Sequence, residues 1–375
     1  MKKVLFKNAI YKALAFFAVF LSMGACLKTG VVPFAVSAVL TALFFSFTPE
    51  SSFLSMFAGF LVALNVSEGY GVSALMITFA LAGLFTLALS AFRSAAEKKV
   101  AQSFDAGLSL AVACLMTVMI TTYYFGIGAS GHTAITMIKS YVSFGFHANW
   151  RGVLYGTIVM VVMITFPRKF KKLSKIIPAP FSALLITYVL NFFLIPAHGV
   201  QPVELITYSG VRPVWLTDFD LSVIREPYCH VSVIAGALAL CVLNKVQAGG
   251  KKELAASGAG DIAIGGLTGY SSALKPVSSS AEFAEGVIAA LIIAALCVST
   301  RMINRMPLAS LAVVLIVKAW QTVEWGKLKV SFTHLQSAAV ILIMFIVTAL
   351  ANISAAIICG FVLSFLFSRK PTEKV

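Results

Sequence analysis

The residue best equipped to do chemistry in this chain is Lys275. It lies in Gly265-Gly266-Leu267-Thr268-Gly269-Tyr270-Ser271-Ser272-Ala273-Leu274-Lys275-Pro276, a polar, Gly- and Ser-rich break between long apolar runs. A full positive charge at membrane depth costs about 2.5–3.5 kcal/mol on insertion scales, so such a residue faces a cavity, a partner or a ligand. The glycines and serines predict irregular backbone leading into a short helix. Irregular backbone at that depth is tolerated only where it is buried in protein or lines a wet cavity. The free N–H groups of a helix N-terminus carry roughly half a positive charge, and a cation beside them makes a site for an anion. The rival reading is a structural ion pair between Lys275 and Asp261 or Glu282, and both stay open on the sequence alone.

Other chemistries lack their groups. The five histidines (His132, His147, His198, His230, His334) show no metal-ligand spacing, and the six cysteines are widely spaced with no C-x-x-C. They read as small buried hydrophobes. No H-E-x-x-H occurs, and Gly258-Ala259-Gly260-Asp261 matches half of an intramembrane aspartyl-protease signature without a second acid. No enzyme, cofactor or metal is expected. Lys245, near a segment end, reads as a snorkelling side chain. Lys318 reads as a packing or interface residue, and Ser22 as a hydroxyl bonded one turn back along its helix.

These groups must be positioned by membrane helices. The 375 residues are 59% hydrophobic and 11% charged, against about 25% charged in an ordinary soluble chain. The fold class expected is an all-α polytopic membrane protein in a lipid bilayer. Apolar runs predict fourteen crossings, at 10–28, 31–47, 52–66, 69–92, 105–127, 150–167, 178–195, 229–247, 253–267, 270–281, 283–300, 307–323, 332–351 and 353–368. Most basic residues fall in short loops and at the termini that follow an even number of crossings: Lys2, Lys3, Lys7 and Lys12, for example, and Arg168 to Lys175. That asymmetry puts both termini on the cytoplasmic side of the cell (inner or plasma) membrane. The net charge of +15 is scattered over loops and not gathered on one soluble face, which argues against nucleic acid.

The third and tenth segments are short, and each adjoins a polar, Pro- or Gly-marked stretch, 48–57 and 265–276. Each is third in its group of seven. Interrupted segments at matching positions of two halves point to a transporter's central site. An odd number of crossings per half makes the repeats inverted: 1–195 and 229–375, joined by a mildly acidic extracytoplasmic loop, 196–228. About seven residues follow the last span, so no soluble domain is expected.

Glu253-Leu254 through Gly258, Asp261, Gly265-Gly266 and on to Lys275 resembles the E-L-x-x-x-G-x-x-N-x-x-x-G-x-x-G-G stretch and basic short helix of the SulP (sulfate permease) anion transporters. Met306-Pro307-Leu308-Ala309-Ser310-Leu311-Ala312 and Ala319-Trp320…Val323-Glu324-Trp325 are similar to that family's I-P-x-A-x-L-A-G and A-W-x-x-V-E-W. Gly30 to Pro33, Phe57-Ala58 and Lys175 to Ala179 match in the first half. The resemblance implies a seven-plus-seven inverted repeat. A core domain would hold the anion between half-helices 3 and 10 and move against a gate of segments 5–7 and 12–14. By position it places Phe57 at the third half-helix and Lys275 at the family's basic position. Ser272, Ala273 and the Leu274 backbone N–H fall on anion-facing positions, and Ala18, Ser22 and Ala25 on the first-helix face of the pocket.

Four departures stand out. Lys275 replaces the usual Arg, keeping charge but losing the bidentate fork. Asn244, counted with the pocket residues above as a substrate-binding position, replaces an eighth-helix carboxylate, while Asp261 occupies a family Asn position. No counterpart of the family's STAS domain is expected. The function expected is secondary transport of a small inorganic or carboxylate anion (sulfate, bicarbonate, chloride or dicarboxylate). Co-transport of H+ or Na+ stays open, as does an uncoupled exchanger or conductance; a nucleobase-type symporter ranks below both. Oligomeric state is equally open, a homodimer being what the family commonly forms.

Overall fold

The structure of the protein is a computed structural model that describes residues 2–27, 31–46, 49–92, 102–129, 131, 133–145, 147–193, 220–226, 228–271 and 276–368. In lipid, a backbone without water must satisfy its N–H and C=O groups internally, and helices do so. Among the described residues the chain is helical with no strand, only one isolated bridge between Phe45 and Pro276.

The helices are α1 (Lys2–Cys26), α2 (Val31–Phe44), α3 (Pro49–Phe92), α4 (Gln102–Phe125), α5 (Ala134–Ser143), α6 (Trp150–Lys169) and α7 (Ala179–Phe193). After the connecting region come α8 (Cys229–Gln247), α9 (Lys251–Gly260), α10 (Ser280–Val298), α11 (Leu308–Gln321), α12 (Trp325–Phe332), α13 (Leu335–Leu350) and α14 (Ile353–Ser368). Among the described residues, six helices are long and apolar enough to cross a membrane, or seven if α11 and α12, bent by 48°, count as one span; five more are apolar but shorter. Large apolar side chains such as Leu291, Val298 and Phe193 stand exposed on the outside, as a lipid-facing surface requires.

α3 contains the third and fourth expected segments, separated at Gly71, whose φ of 75° lies in the left-handed region that glycine tolerates. Segment nine is α9 continued by a π-helical turn, Asp261–Gly265, and a last turn, Gly266–Thr268. The tenth segment, expected at 270–281, is helical among its described residues over Ser280-Ala281 alone. Pro276 supplies no N–H and disfavours helix just before it. The helix restarts at Ser279, whose hydroxyl accepts from the Glu282 N–H (3.2 Å), while the Glu282 carboxylate accepts from the Ser278 N–H (3.0 Å). The amphipathic α5 and the short α12 are additions to the expected segments.

Two bundles result. α1, α2, α3, α8, α9 and α10 pack together, as do α4, α6, α7, α11 and α13, with α14 against α13, α8 and α4. In the first bundle, close approaches depend on missing side chains. A Cβ on Gly83 of α3 would lie 2.5 Å from the Gly258 carbonyl oxygen of α9, and one on Gly286 of α10 would lie 2.7 Å from the Ala42 carbonyl oxygen of α2. In segment numbers these are contacts 4–9 and 11–2, which an inverted seven-plus-seven repeat makes equivalent. The fold is consistent with that fourteen-segment arrangement.

Candidate functional site

The chain leaving α2 and the chain entering α10 meet where both depart from helix. Phe45 bridges Pro276 in antiparallel sense, and the Val277 N–H donates to the Phe44 carbonyl at 3.0 Å. Helix α3 starts at Pro49, where a fixed φ suits a first helical residue. Its opening turns approach the break after α9. A Cβ on Gly59 would lie 3.8 Å from the Ser271 carbonyl oxygen, and the Tyr270 hydroxyl donates to the Met56 carbonyl at 2.7 Å.

Tyr270 fixes this junction. The turn that delivers it uses Gly269 at φ 73°. Its ring stacks on Phe34 (centroids 4.9 Å apart) and meets Phe20 and Phe79 edge-on at 5.6 and 5.8 Å. Its carbonyl accepts from the Ser37 and Thr268 hydroxyls, each at 2.8 Å. An aromatic box with every polar atom bonded makes a rigid support for the residues next in sequence, because neither ring nor backbone can shift without losing several contacts at once.

Four of the expected site residues, Ser272, Ala273, Leu274 and Lys275, come directly after this support and lie outside the described residues. The other expected site residues are placed. Phe57 is fully buried and stacks on Phe53 (5.9 Å, 18°). Ala18 and Ser22 are buried, and the Ser22 hydroxyl donates to the Ala18 carbonyl at 2.7 Å, one turn back. Ala25 is half-buried. Asn244 is buried, and its amide donates to Thr86 and to Asp261, beside which Ser271 lies. Of the two carboxylates weighed as partners for Lys275, Glu282 takes part in the cap of α10 and Asp261 accepts from Asn244.

Two buried charges, Lys12 and Asp261, and one half-buried charge, Lys318, carry the local electrostatics. Lys12, expected among the loop-side basic residues, is instead 2% exposed on α1. Its ammonium donates to the Phe45 carbonyl at 2.7 Å, beside the bridge, with the Glu285 and Glu282 carboxylates of α10 acting on it from nearby. Its neighbours Lys2, Lys3 and Lys7 disguise it in sequence. Lys318 of α11 places its ammonium 4.9 Å from the Phe53 ring in the opening turns of α3, a cation–π contact between the two bundles. Asp261, 3% exposed, accepts from the Asn244 amide, which also donates to Thr86 at 3.2 Å. The Ser271 hydroxyl lies beside the same carboxyl without strict hydrogen-bond geometry. Among the described residues, no three His, Cys, Asp or Glu side chains gather as metal ligands. A narrow cleft lined by Leu61, Asn65, Met119, Thr348 and Asn352, among others, lies between α3, α4 and the α13–α14 junction.

Solved structures share this architecture. The transmembrane domain of the cyanobacterial bicarbonate transporter BicA aligns with TM-score 0.61 at 15% identity, covering 96% of each chain. SLC26A9 aligns with TM-score 0.62 at 12% identity, over 97% of this chain and 66% of that one. The murine Slc26a9 anion transporter in its inward-facing state aligns with TM-score 0.62 at 11% identity, over 96% of this chain and 67% of that one. This chain thus spans about two thirds of the SLC26A9 chains and nearly all of the BicA domain. No family model and no curated protein matches the sequence.

Proposed function

We propose that this protein is a secondary transporter of small anions, of the SulP/SLC26 type, residing in the cell membrane with both termini cytoplasmic. The anion sits where half-helix 3 meets the break before α10, held by Lys275, Ser272 and the Ala273–Leu274 backbone, with Phe57, Ser22, Ala18 and Ala25 lining the pocket. The α1–α3, α8–α10 bundle carries it past the other bundle by an elevator-like movement. The observation that carries this reading is the convergence of two broken segments, one entering a helix N-terminus, at a bridged and aromatically braced junction. Unpaired N–H groups and a cation at membrane depth are what an anion needs there. The neighbouring folds are those of a bicarbonate transporter and of an anion transporter, which supports the substrate class.

The test is uptake by purified protein in proteoliposomes, scored over radiolabelled sulfate, bicarbonate, chloride and succinate. The expected outcome is accumulation of at least one, abolished by Lys275→Gln at unchanged expression. Normal flux in that variant overturns the assigned site. Absence of flux for every anion overturns transport. Uncoupled exchange or conductance on the same fold is the second reading, favoured by the amide of Asn244 at the position of the expected eighth-helix acid; flux indifferent to imposed proton and sodium gradients would select it.

A further inference from the structure

Among the described residues, the hydrogen bonds around Asp261 leave one buried acceptor, the Asn244 carbonyl oxygen, without a donor. The Thr86 hydroxyl gives its hydrogen to the Ala82 carbonyl at 2.7 Å, so towards Asn244 it can only accept. Asn244 therefore uses one amide hydrogen on Thr86 and the other on Asp261, and its orientation is fixed. Its carbonyl oxygen, Oδ1, is buried and has no hydrogen-bond partner among the described residues. A buried acceptor without a donor is expensive. A protonated Asp261 supplies the missing donor. A carboxylic acid and a primary amide close a cyclic pair, amide N–H to acid C=O and acid O–H to amide C=O, and every polar atom of Asn244 is then bonded. Protonation also removes a full negative charge from a place where an isolated carboxylate is costly.

The surroundings offer no other neutraliser among the described residues. The titratable and charged groups on α8 near Asp261 are Cys241 and Lys245, and the Lys245 ammonium lies over the Phe361 ring of α14 at 5.1 Å. From α3 the facing group is Thr86, from the turn before the break it is Ser271, and from beyond α2 the Phe45 ring covers Gly260. Asp261 itself opens the π-helical turn Asp261–Gly265. Such one-residue widenings of a helix recur at functional sites.

We infer that Asp261 is a proton-binding site whose loading and release accompany anion movement, so that transport is proton-coupled although the eighth helix lacks its acid. The reaction is protonation alone: a carboxylate oxygen takes a proton from the water-facing path in one state of the core and returns it in another, with Asn244 as hydrogen-bond partner in the loaded state. This rests on the transport reading above, and two measurements separate the failures. In proteoliposomes with an alkaline interior, uptake of radiolabelled chloride and sulfate by the wild type is expected to exceed uptake without the gradient. In Asp261→Asn that stimulation is lost. In the exchanged pair Asn244→Asp with Asp261→Asn, one acid and one amide still face each other and the stimulation returns. Independently of transport, an infrared difference spectrum between acid and alkaline pH is expected to show a buried protonated carboxyl band that disappears in Asp261→Asn. Persistent gradient stimulation in Asp261→Asn, failure of the exchanged pair to restore it, or an unchanged carboxyl band overturns the inference. A wild type that moves none of sulfate, bicarbonate, chloride or succinate but keeps the band refutes transport and leaves the proton site standing.

Discussion

The bundle buries two polar clusters, and they are closed in opposite ways. Around Lys12, the cation on α1 bonds a backbone carbonyl at 2.7 Å, and two carboxylates on α10 stand near it. Around Asp261, the acid bonds an amide and a hydroxyl stands beside it, while Lys245, the cation on α8, lies over the Phe361 ring instead. The first is a clamp: it holds the end of α2 against α1 at the point where α2 loses its helix, and its charge is answered locally. Among the described residues the second leaves the acid without a cation bonded to it and an acceptor empty, a combination that the proposed proton would resolve. Burial alone therefore says little about a charged residue's task; what matters is whether its neighbours already balance it.

The sharpest way to break this contrast is to remove the clamp. Lys12→Ala leaves the Phe45 carbonyl buried without its donor, and a bond to a charged group is worth about 1.5–3 kcal/mol. Thermal unfolding in detergent should fall accordingly, and a wild-type midpoint would show that the cation is not structural. Next come the close approaches that seat each cluster. Gly83→Ala beside the Asp261 side and Gly286→Ala beside the Lys12 side each force a Cβ to within 2.5–2.7 Å of a carbonyl oxygen, an overpacking that costs about 1–3 kcal/mol. Similar losses in the two variants would support equivalent packing in the two repeats, whereas a loss in one alone would separate them.

Smaller still is Tyr270→Phe, which keeps the aromatic box but removes the bond to the Met56 carbonyl. A loss of about 0.5–1.5 kcal/mol is expected, and no loss would mean that the rings alone brace the junction. Lys318→Met should change stability least. The cation–π contact it forfeits is offset by relief from holding a charge away from water, and replacing a buried charge by an apolar side chain of similar volume is often neutral. Marked destabilisation measured by the same melt would contradict that balance.

The helices are largely legible in the sequence because their apolar runs are long. Segments 229–247 and 353–368 coincide with α8 and α14 within a residue. α5 is not legible: its apolar positions Ile135, Ile138 and Val142 alternate with polar ones over ten residues, too few to read as a span, and its start is set by a Thr133–Thr136 capping box. Of the tenth segment, 270–281, the described residues before Ser280 are not helical, and Pro276 is held in the bridge to Phe45, a partner 231 positions away that no local pattern shows. At the site, Lys12 is hidden by the basic residues around it. The pairing of Asn244 with Asp261, seventeen positions apart on successive helices, leaves no local pattern to find. Long-range partners of single polar groups are fixed by how helices cross, and composition does not encode that.

Between the two halves of the chain, the Phe45–Pro276 bridge joins the tail of one interrupted helix pair to the head of the other. Such a tie is short and inextensible on the scale of side-chain motion. Any displacement that tugs on α10 is relayed through it to α2 and on to Lys12, so under the proposed function the two interrupted segments should travel as one piece and hold an anion between them with unchanged grip.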